Sequence, residues 1–273
     1  MERLATHLVG VKRSTGQHPG GIIVVPHAVD IYDVTPVQYP ADNTENTWRT
    51  THFDYHSFEN NLLKLDILGH DDPTLIKFFM DYVHKHQEQF PFTSPQDIPI
   101  DDKNIYRLFS GTDVIGLQES DINSKVASFA IPELGTNFVR QMLIETLPKT
   151  FAQLVKISGL SHGTDVWNTN AQDLVSGKTE YGKIDFKDII GCRDDIMVDL
   201  LHMGLEPLKA FQIMEFVRKG KVAKDPAKWE EYKKAMIEKN VPDWYIWSCE
   251  RIKYMFPKAH ATAYVLMALR IAW

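Results

Sequence analysis

A chain of 273 residues, 44% of them apolar, is long enough for one large or two ordinary hydrophobic cores, and a formal net charge of −6 excludes a uniformly basic nucleic-acid binder. Cys192 and Cys249 stand far apart with no C-x-x-C spacing, which excludes a cysteine zinc site and suits a reducing cytosol. The average hides an asymmetry, because residues 207–273 hold 13 Lys and Arg against 7 Asp and Glu, a local +6 that leaves −12 on residues 1–206. Such a basic region suits phosphate, or is the solvated face of helices.

The N-terminal Met1-Glu2-Arg3-Leu4-Ala5 lacks the apolar core of a signal peptide. The longest apolar stretch, 259–273, is too short to span a bilayer and contains His260 and Arg270. It stops in mid-helix on an apolar face, so the chain is expected to be a piece of a longer protein.

Residues 10–70 read as β-rich. Gly16-Gln17-His18-Pro19-Gly20-Gly21, preceded by Lys12-Arg13-Ser14-Thr15, is a glycine-rich turn that could cradle an anion, or simply a tight turn in which His18 is a hydrogen-bonder. It matches neither a Walker loop nor a dinucleotide fingerprint. Ile22-Ile23-Val24-Val25-Pro26 predicts a short strand closed by proline. Residues 48–55 alternate loosely, and a strand there would put His52, Asp54 and His56 on one face, where they could bind zinc or iron or form exposed polar alternation. Residues 62–68 predict another strand. It carries Asp66 between Leu65 and Ile67, and a carboxylate taken out of water there must be protonated, paired or holding a cation.

From Asp71-Asp72-Pro73 onward the text turns helical: 73–86, a proline-rich linker over 90–99, and 103–109 opened by Asp101-Asp102. Beyond Gly135, apolar residues recur at helical spacing in 138–147, 151–157, 188–203, 208–218, 228–238 and 243–255. Gly159-Leu160-Ser161-His162-Gly163 matches the G-x-S-x-G nucleophile elbow, which works only on a strand-to-helix turn, and the residues before it read as helix. Arg193, within Gly191-Cys192-Arg193-Asp194-Asp195, has the wrong sign for a helix N-terminus. It fits there if an anion binds, or if it pairs with Asp194 or Asp195. Arg218, Lys219, Lys221 and Lys224 follow a helix C-terminus, which favours cations anyway. Residues 251–260 interleave cations with rings, as a nucleic-acid strand would require, although Tyr254, Phe256 and Tyr264 suit a core equally well.

Taken in order, these motifs resemble a known family. Residues 10–21, His52-Phe53-Asp54 and Lys64-Leu65-Asp66-Ile67-Leu68-Gly69 resemble the alpha subunit of bacterial DNA polymerase III, a C-family replicative polymerase. Ser158-Gly159-Leu160-Ser161-His162-Gly163-Thr164-Asp165-Val166-Trp167, Gly191-Cys192-Arg193-Asp194-Asp195 and Phe256-Pro257-Lys258-Ala259-His260-Ala261 resemble the PolC type rather than the DnaE type. The resemblance implies an α+β fold, with residues 1–70 the C-terminal part of a palm domain, holding part of a polymerase-β-like sheet. Residues 71–273 would be a mostly α-helical fingers domain, incomplete at its C-terminus.

It also implies nucleotidyl transfer from a deoxynucleoside triphosphate to a primer 3′-hydroxyl with Mg²⁺ ions held by clustered carboxylates. Asp66 matches the third catalytic carboxylate and would be a metal ligand. The family's Asp-x-Asp pair has no counterpart here, so the chain alone is expected to be inactive. By the same resemblance Arg193 would hold the incoming triphosphate, Ser161 and His162 would shape the pocket, Lys258 and His260 would line the nucleotide and template side, and His18 would touch nucleotide or DNA. The implied partners are primer–template DNA and nucleotides. Sliding clamp and replisome subunits would be engaged through other parts of the parent, in the cytoplasm and without a membrane. The alternatives are a non-catalytic DNA-binding module and a hydrolase built on Ser161.

Overall fold

The first unit, Met1–His70, has among its described residues a short helix, Glu2–Leu8 (α1), and four short strands, Gly21–Val24 (β1), Val37–Gln38 (β2), Thr50–Thr51 (β3) and Leu63–Asp66 (β4). The computed structural model describes residues 2–9, 11, 16–18, 20–67 and 69–273, so the cations and hydroxyls expected to flank the glycine-rich turn at 12–15 lie outside the described residues. β1 pairs antiparallel with β4, Gly21 opposite Asp66 and Val24 opposite Leu63, and β2 pairs antiparallel with β3. The register of the first ribbon depends on Gly20. The Ile67 N–H donates to its carbonyl at 2.7 Å, and a Cβ on Gly20 would run into the Ile67 carbonyl.

Each sheet has two strands, so apolar side chains on a ribbon stay in contact with water. Leu63, Leu65 and Ile67 are 62%, 44% and 57% exposed. The strand expected over 48–55 shortens to Thr50–Thr51, because Asp54 turns the chain by accepting the His56 N–H at 2.9 Å and caps the 3₁₀ turn Tyr55–Ser57. His52, Asp54 and His56 therefore do not share a strand face.

The second unit, Asp71–Trp273, is helical. Its helices are Asp72–Lys85 (α2), Lys103–Arg107 (α3), Glu119–Ile122 (α4), Asn137–Thr146 (α5), Phe151–His162 (α6), Gln172–Ser176 (α7), Arg193–His202 (α8), Pro207–Arg218 (α9), Pro226–Glu238 (α10), Asp243–Arg251 (α11) and Lys258–Ala272 (α12). Their starts follow capping chemistry. Thr136 and Thr150 accept the N–H groups of Val139 and Gln153, and Pro207 and Pro226 fill first-turn positions whose N–H would be orphaned. α6 packs against α5 and α12, and α8 against α9, burying Leu143, Leu154, Ile157, Ile196, Ile213 and Leu269 in one core. Each such side chain contributes ~1.5–3 kcal/mol by leaving water. The fold is α+β, with small sheets first and helices after, and no helix among the described residues is long and apolar enough to cross a membrane.

Three helices differ clearly from their sequence pattern, and one of them, α6, runs past its expected end at 157 to His162. The spacing read from residue 188 becomes helix only at Arg193, because α6 engages the preceding backbone: the Lys156 ammonium donates to the Ile189 carbonyl, and Gly191 lies on the Lys156 stem. The spacing read to residue 255 stops at Arg251, where the chain becomes extended.

α6 approaches the 191–192 turn so closely that a Cβ on Gly159 would collide with the Gly191 carbonyl and the Cys192 sulfur, both held in place by the core. Gly159→Ala is therefore expected to lower stability by ~1–3 kcal/mol, measured by urea unfolding. A variant as stable as the parent would show that the turn can back away.

Candidate functional site

Five of the residues singled out in the sequence, Arg193, Ser161, His162, Lys258 and His260, lie in the second unit around the extended segment between α11 and α12. Its backbone groups are satisfied by three other parts of the chain. Lys253 and Tyr254 N–H donate to the Thr164 carbonyl at 3.0 and 3.3 Å, and Thr164 N–H donates back to Tyr254 at 2.9 Å. Met255 N–H reaches the Arg218 carbonyl at 3.3 Å, and the Phe256 carbonyl accepts the Arg193 N–H at 3.0 Å. Pro257 then ends the extended stretch, and the first amide of α12, on Lys258, donates to the Asp194 carboxylate at 2.7 Å. The N-termini of α8 and α12 are thereby held side by side.

Beneath them lies Asp195, 5% exposed. Its Oδ2 accepts the Gly191 and Cys192 N–H groups at 3.0 Å each and lies 3.8 Å from the Lys156 Nζ, while its Oδ1 accepts Lys258 Nζ at 2.7 Å. Burial pushes the Asp195 carboxyl up, but the Lys156 charge, the Lys258 hydrogen bond and the amide of Cys192 together outweigh it and hold Asp195 below the usual carboxylate range. The same hydrogen bond raises Lys258. Arg193 reaches Asp194 only at 3.8 Å. Of the two partners offered by the sequence, it takes Asp194 loosely, and Asp195 belongs to the lysines. The Cys192 thiol is pushed up to about 12 by burial, so it is a protonated, inert group.

Beside the cations stands a group of rings. His162, at the end of α6, stacks on Phe256 with centroids 4.7 Å apart and lies parallel to Tyr264 at 5.9 Å, and His260 stacks on Tyr264 at 4.5 Å. His162 Nε2 faces the Glu133 carboxylate at 3.0 Å. Tyr264 is buried, so its ring is both core and wall.

The nucleophile elbow is not formed. Gly159 to His162 are the last turn of α6, and the Ser161 hydroxyl donates back to the Ser158 carbonyl at 2.9 Å. Ser161 also lies 3.1 Å from His162 Nδ1, but that nitrogen is 2.8 Å from the Ser158 carbonyl. A ring nitrogen bonded to a carbonyl carries the hydrogen and cannot take one from serine. The hydrolase alternative is excluded on this geometry.

The other two candidates lie in the first unit. His18 Nδ1 accepts the Gly20 N–H at 3.1 Å, and its ring folds over Gly21, the strand partner of Asp66. Asp66 is not desolvated as its apolar neighbours imply. Its side chain is 67% exposed and lies 3.2 Å from Lys64, because a two-stranded ribbon has no second layer to bury either face. His52 faces Gln38 at 2.8 Å and His56 faces Glu59 at 2.9 Å, and among the described residues no three His, Cys, Asp or Glu side chains are grouped to hold a metal ion.

The basic text at 218–224 is partly neutralised. Arg218 and Lys219 both bind Glu215, whose carboxyl their hydrogen bonds hold at about 2. A cleft of about 510 Å³ lies away from these motifs between α2 and the end of α12. Phe78, Phe79, Tyr82, Phe92 and Trp273 line it, with Arg270 at its edge. Lys156 and Glu133 carried no sequence signal, since each is one charge in ordinary text. Asp195 could have been read from its place three residues into a helix, where an acidic side chain caps the amides behind it.

Asp195 adds stability above its unfolded value near 3.9, and the contribution is lost as pH falls through the lower folded value. Asp195→Asn is expected to cost about 3 kcal/mol at pH 7, the lower end for breaking a buried pair, since Lys258 can rehydrate. In urea unfolding across pH, the gap between variant and parent should hold from 7 to about 5 and close below about 4. A gap independent of pH would mean that the amide replaces the carboxylate's shape rather than its charge.

Comparison with known proteins gives one consistent result. Residues 72–240 match the model of the bacterial DNA polymerase III alpha subunit finger domain, and residues 1–69 that of the bacterial DNA polymerase III alpha NTPase domain. The chain is 57% identical over 273 residues to the DNA polymerase III PolC-type of Oceanobacillus iheyensis, 56% to that of Bacillus subtilis and 58% to that of Halalkalibacterium halodurans. In each case all of this chain aligns with 18% of the relative.

Proposed function

The chain belongs to the bacterial DNA polymerase III alpha-subunit family, and we propose that it is the stretch of a PolC-type replicative DNA polymerase that receives the incoming nucleotide. In this reading residues 1–70 are the C-terminal part of the palm and residues 71–273 are fingers. The polymerase joins a deoxynucleoside triphosphate to a primer 3′-hydroxyl on a DNA template in the cytoplasm, and meets clamp and replisome subunits elsewhere in its length.

The observation that carries the reading is the pairing of Arg193 with Lys258 at two adjoining helix N-termini. An anion there gains from both helix dipoles and from two cations. Arg193 can grip phosphate oxygens in a fork, and Lys258 adds a point charge. His162, with Ser161 behind it, and His260 form a ringed wall beside them, suited to the flat face of a base. Their share of the chemistry is to bind and orient the triphosphate and to offset its charge.

Asp66 is proposed as one carboxylate ligand for Mg²⁺, the ion that would stabilise charge on the transferring phosphate. The described residues do not themselves fit such a site, because Asp66 stands alone with Lys64. Its remaining ligands would come from other parts of the polymerase. His18, over the strand partner of Asp66, is proposed to contact nucleotide or DNA.

In an intact polymerase carrying this stretch, Arg193→Ala is expected to raise KM for nucleotide and lower kcat/KM by ~10- to 150-fold, the worth of a charge-assisted contact. Unchanged kcat/KM at subsaturating nucleotide would leave Arg193 as a partner of Asp194 only. Asp66→Asn should nearly abolish incorporation while leaving primer–template affinity in place, since DNA is held by phosphate contacts elsewhere. It should barely move the melting temperature, because an exposed ion pair contributes only ~0–1 kcal/mol. Normal single-turnover incorporation by Asp66→Asn would remove it from the reaction.

A further inference from the structure

Asp195 has two lysines and requires one. Lys156 approaches its Oδ2 at 3.8 Å and Lys258 its Oδ1 at 2.7 Å. The two differ in access and in ties. Lys156 has a side chain 17% exposed, and its ammonium also donates to the Ile189 carbonyl. Lys258 has a side chain 52% exposed at the start of α12. A buried carboxylate can release one cation only where another charge and hydrogen bonds remain. Oδ2 keeps Lys156 and the two amides of Gly191 and Cys192 whatever Lys258 does.

We propose that Lys156 is a positioning residue for nucleotide binding: it is the resident counter-ion of Asp195, and so allows Lys258 to turn from Asp195 to the phosphate chain of an incoming nucleotide. The proposal rests on the reading of Lys258 as a phosphate contact. The local charges agree with it. In direct ion pairs, Asp194 takes Arg193 and Asp195 takes both lysines, with Asp199 a further carboxylate felt by Lys156 and Lys258, so Asp195 keeps a cation when Lys258 leaves. Lys156 is also placed to act on the turn itself, since its stem packs on Gly191 and the same helix face offers Gly159 to Gly191 and Cys192. Without the Lys156 charge, Asp195 would hold Lys258 as its only cation, and a nucleotide would have to compete for it.

The test uses an intact polymerase carrying this stretch, with incorporation followed on a fixed primer–template while one deoxynucleoside triphosphate is varied. Lys156→Gln removes the charge and leaves a shorter side chain that still carries N–H donors, Lys156→Arg keeps the charge, and Lys258→Met removes the contact. Lys258→Met should raise KM by about 10-fold or more. Lys156→Gln should raise KM by about 5-fold or more with kcat within about 2-fold of the parent, and Lys156→Arg should bring KM back. The double variant Lys156→Gln/Lys258→Met should show no higher KM than Lys258→Met alone, because both act through one ammonium.

An unchanged KM in Lys258→Met would remove the underlying reading and this proposal with it. A raised KM in Lys258→Met beside an unchanged KM in Lys156→Gln would overturn this proposal alone. Should Lys156→Gln fail to fold, hydrogen exchange of the Gly191 and Cys192 amides in the parent enzyme decides. Protection kept when nucleotide is added to the enzyme–DNA complex supports a carboxylate still held by Lys156. Faster exchange of those amides would mean that Asp195 depends on Lys258, and would overturn it.

Discussion

An ionised carboxylate almost wholly removed from water must collect donors from whatever surrounds it, and in the second unit that carboxylate is Asp195. Two of its donors are backbone amides, which hold residues 191 and 192 extended and so decide where α8 can begin. The others are the ammonium groups of Lys156 on α6 and Lys258 on α12. Satisfying one charge therefore ties three helices to one point. The fit around it is tight enough that Gly159 and Gly191 have no room for a side chain.

A second constraint adds direction to the first. The segment from Ile252 to Pro257 leaves helical geometry, and its backbone groups need partners that a helix would have supplied internally. Thr164, Arg218 and Arg193 provide them through their own backbones. Because these contacts are made by main-chain atoms, they set the position of the segment independently of its side chains. Phe256 and Lys258 are then presented from one short stretch, the ring against His162 and the ammonium on Asp195. A cationic edge beside a ringed wall is the product of these two constraints acting together.

The first unit obeys the same physics with less material. Its strands are paired in twos, and a ribbon without a covering layer buries little, so β4 keeps most of its apolar surface in water. Asp66 is exposed for that reason and settles for a neighbouring lysine two residues away on the same face. Desolvation of a charge depends on what lies above it in the fold, and the residues before and after it in sequence do not report that.

Much of the architecture is local and was therefore legible in the chain. The helical recurrence of apolar residues over 138–147, 208–218 and 228–238 places α5, α9 and α10 nearly where they stand, and that over 151–157 places the start of α6 but not its end. Family membership was legible too, because motifs such as Gly191-Cys192-Arg193-Asp194-Asp195 are read without knowing where they fold. What the chain alone left open were the matters settled between distant residues. Arg193 had two acidic neighbours to choose from, and only the arrival of Lys156 and Lys258 assigns Asp195 elsewhere. The G-x-S-x-G pattern had the right letters, and only the run of α6 through them makes Ser161 a helical residue. Lys156 was one lysine in an apolar helix. Local conformation follows from interactions a few residues long, which a sequence carries within itself, whereas charge pairing and burial belong to whichever elements meet, and those meetings exist only once the chain is folded.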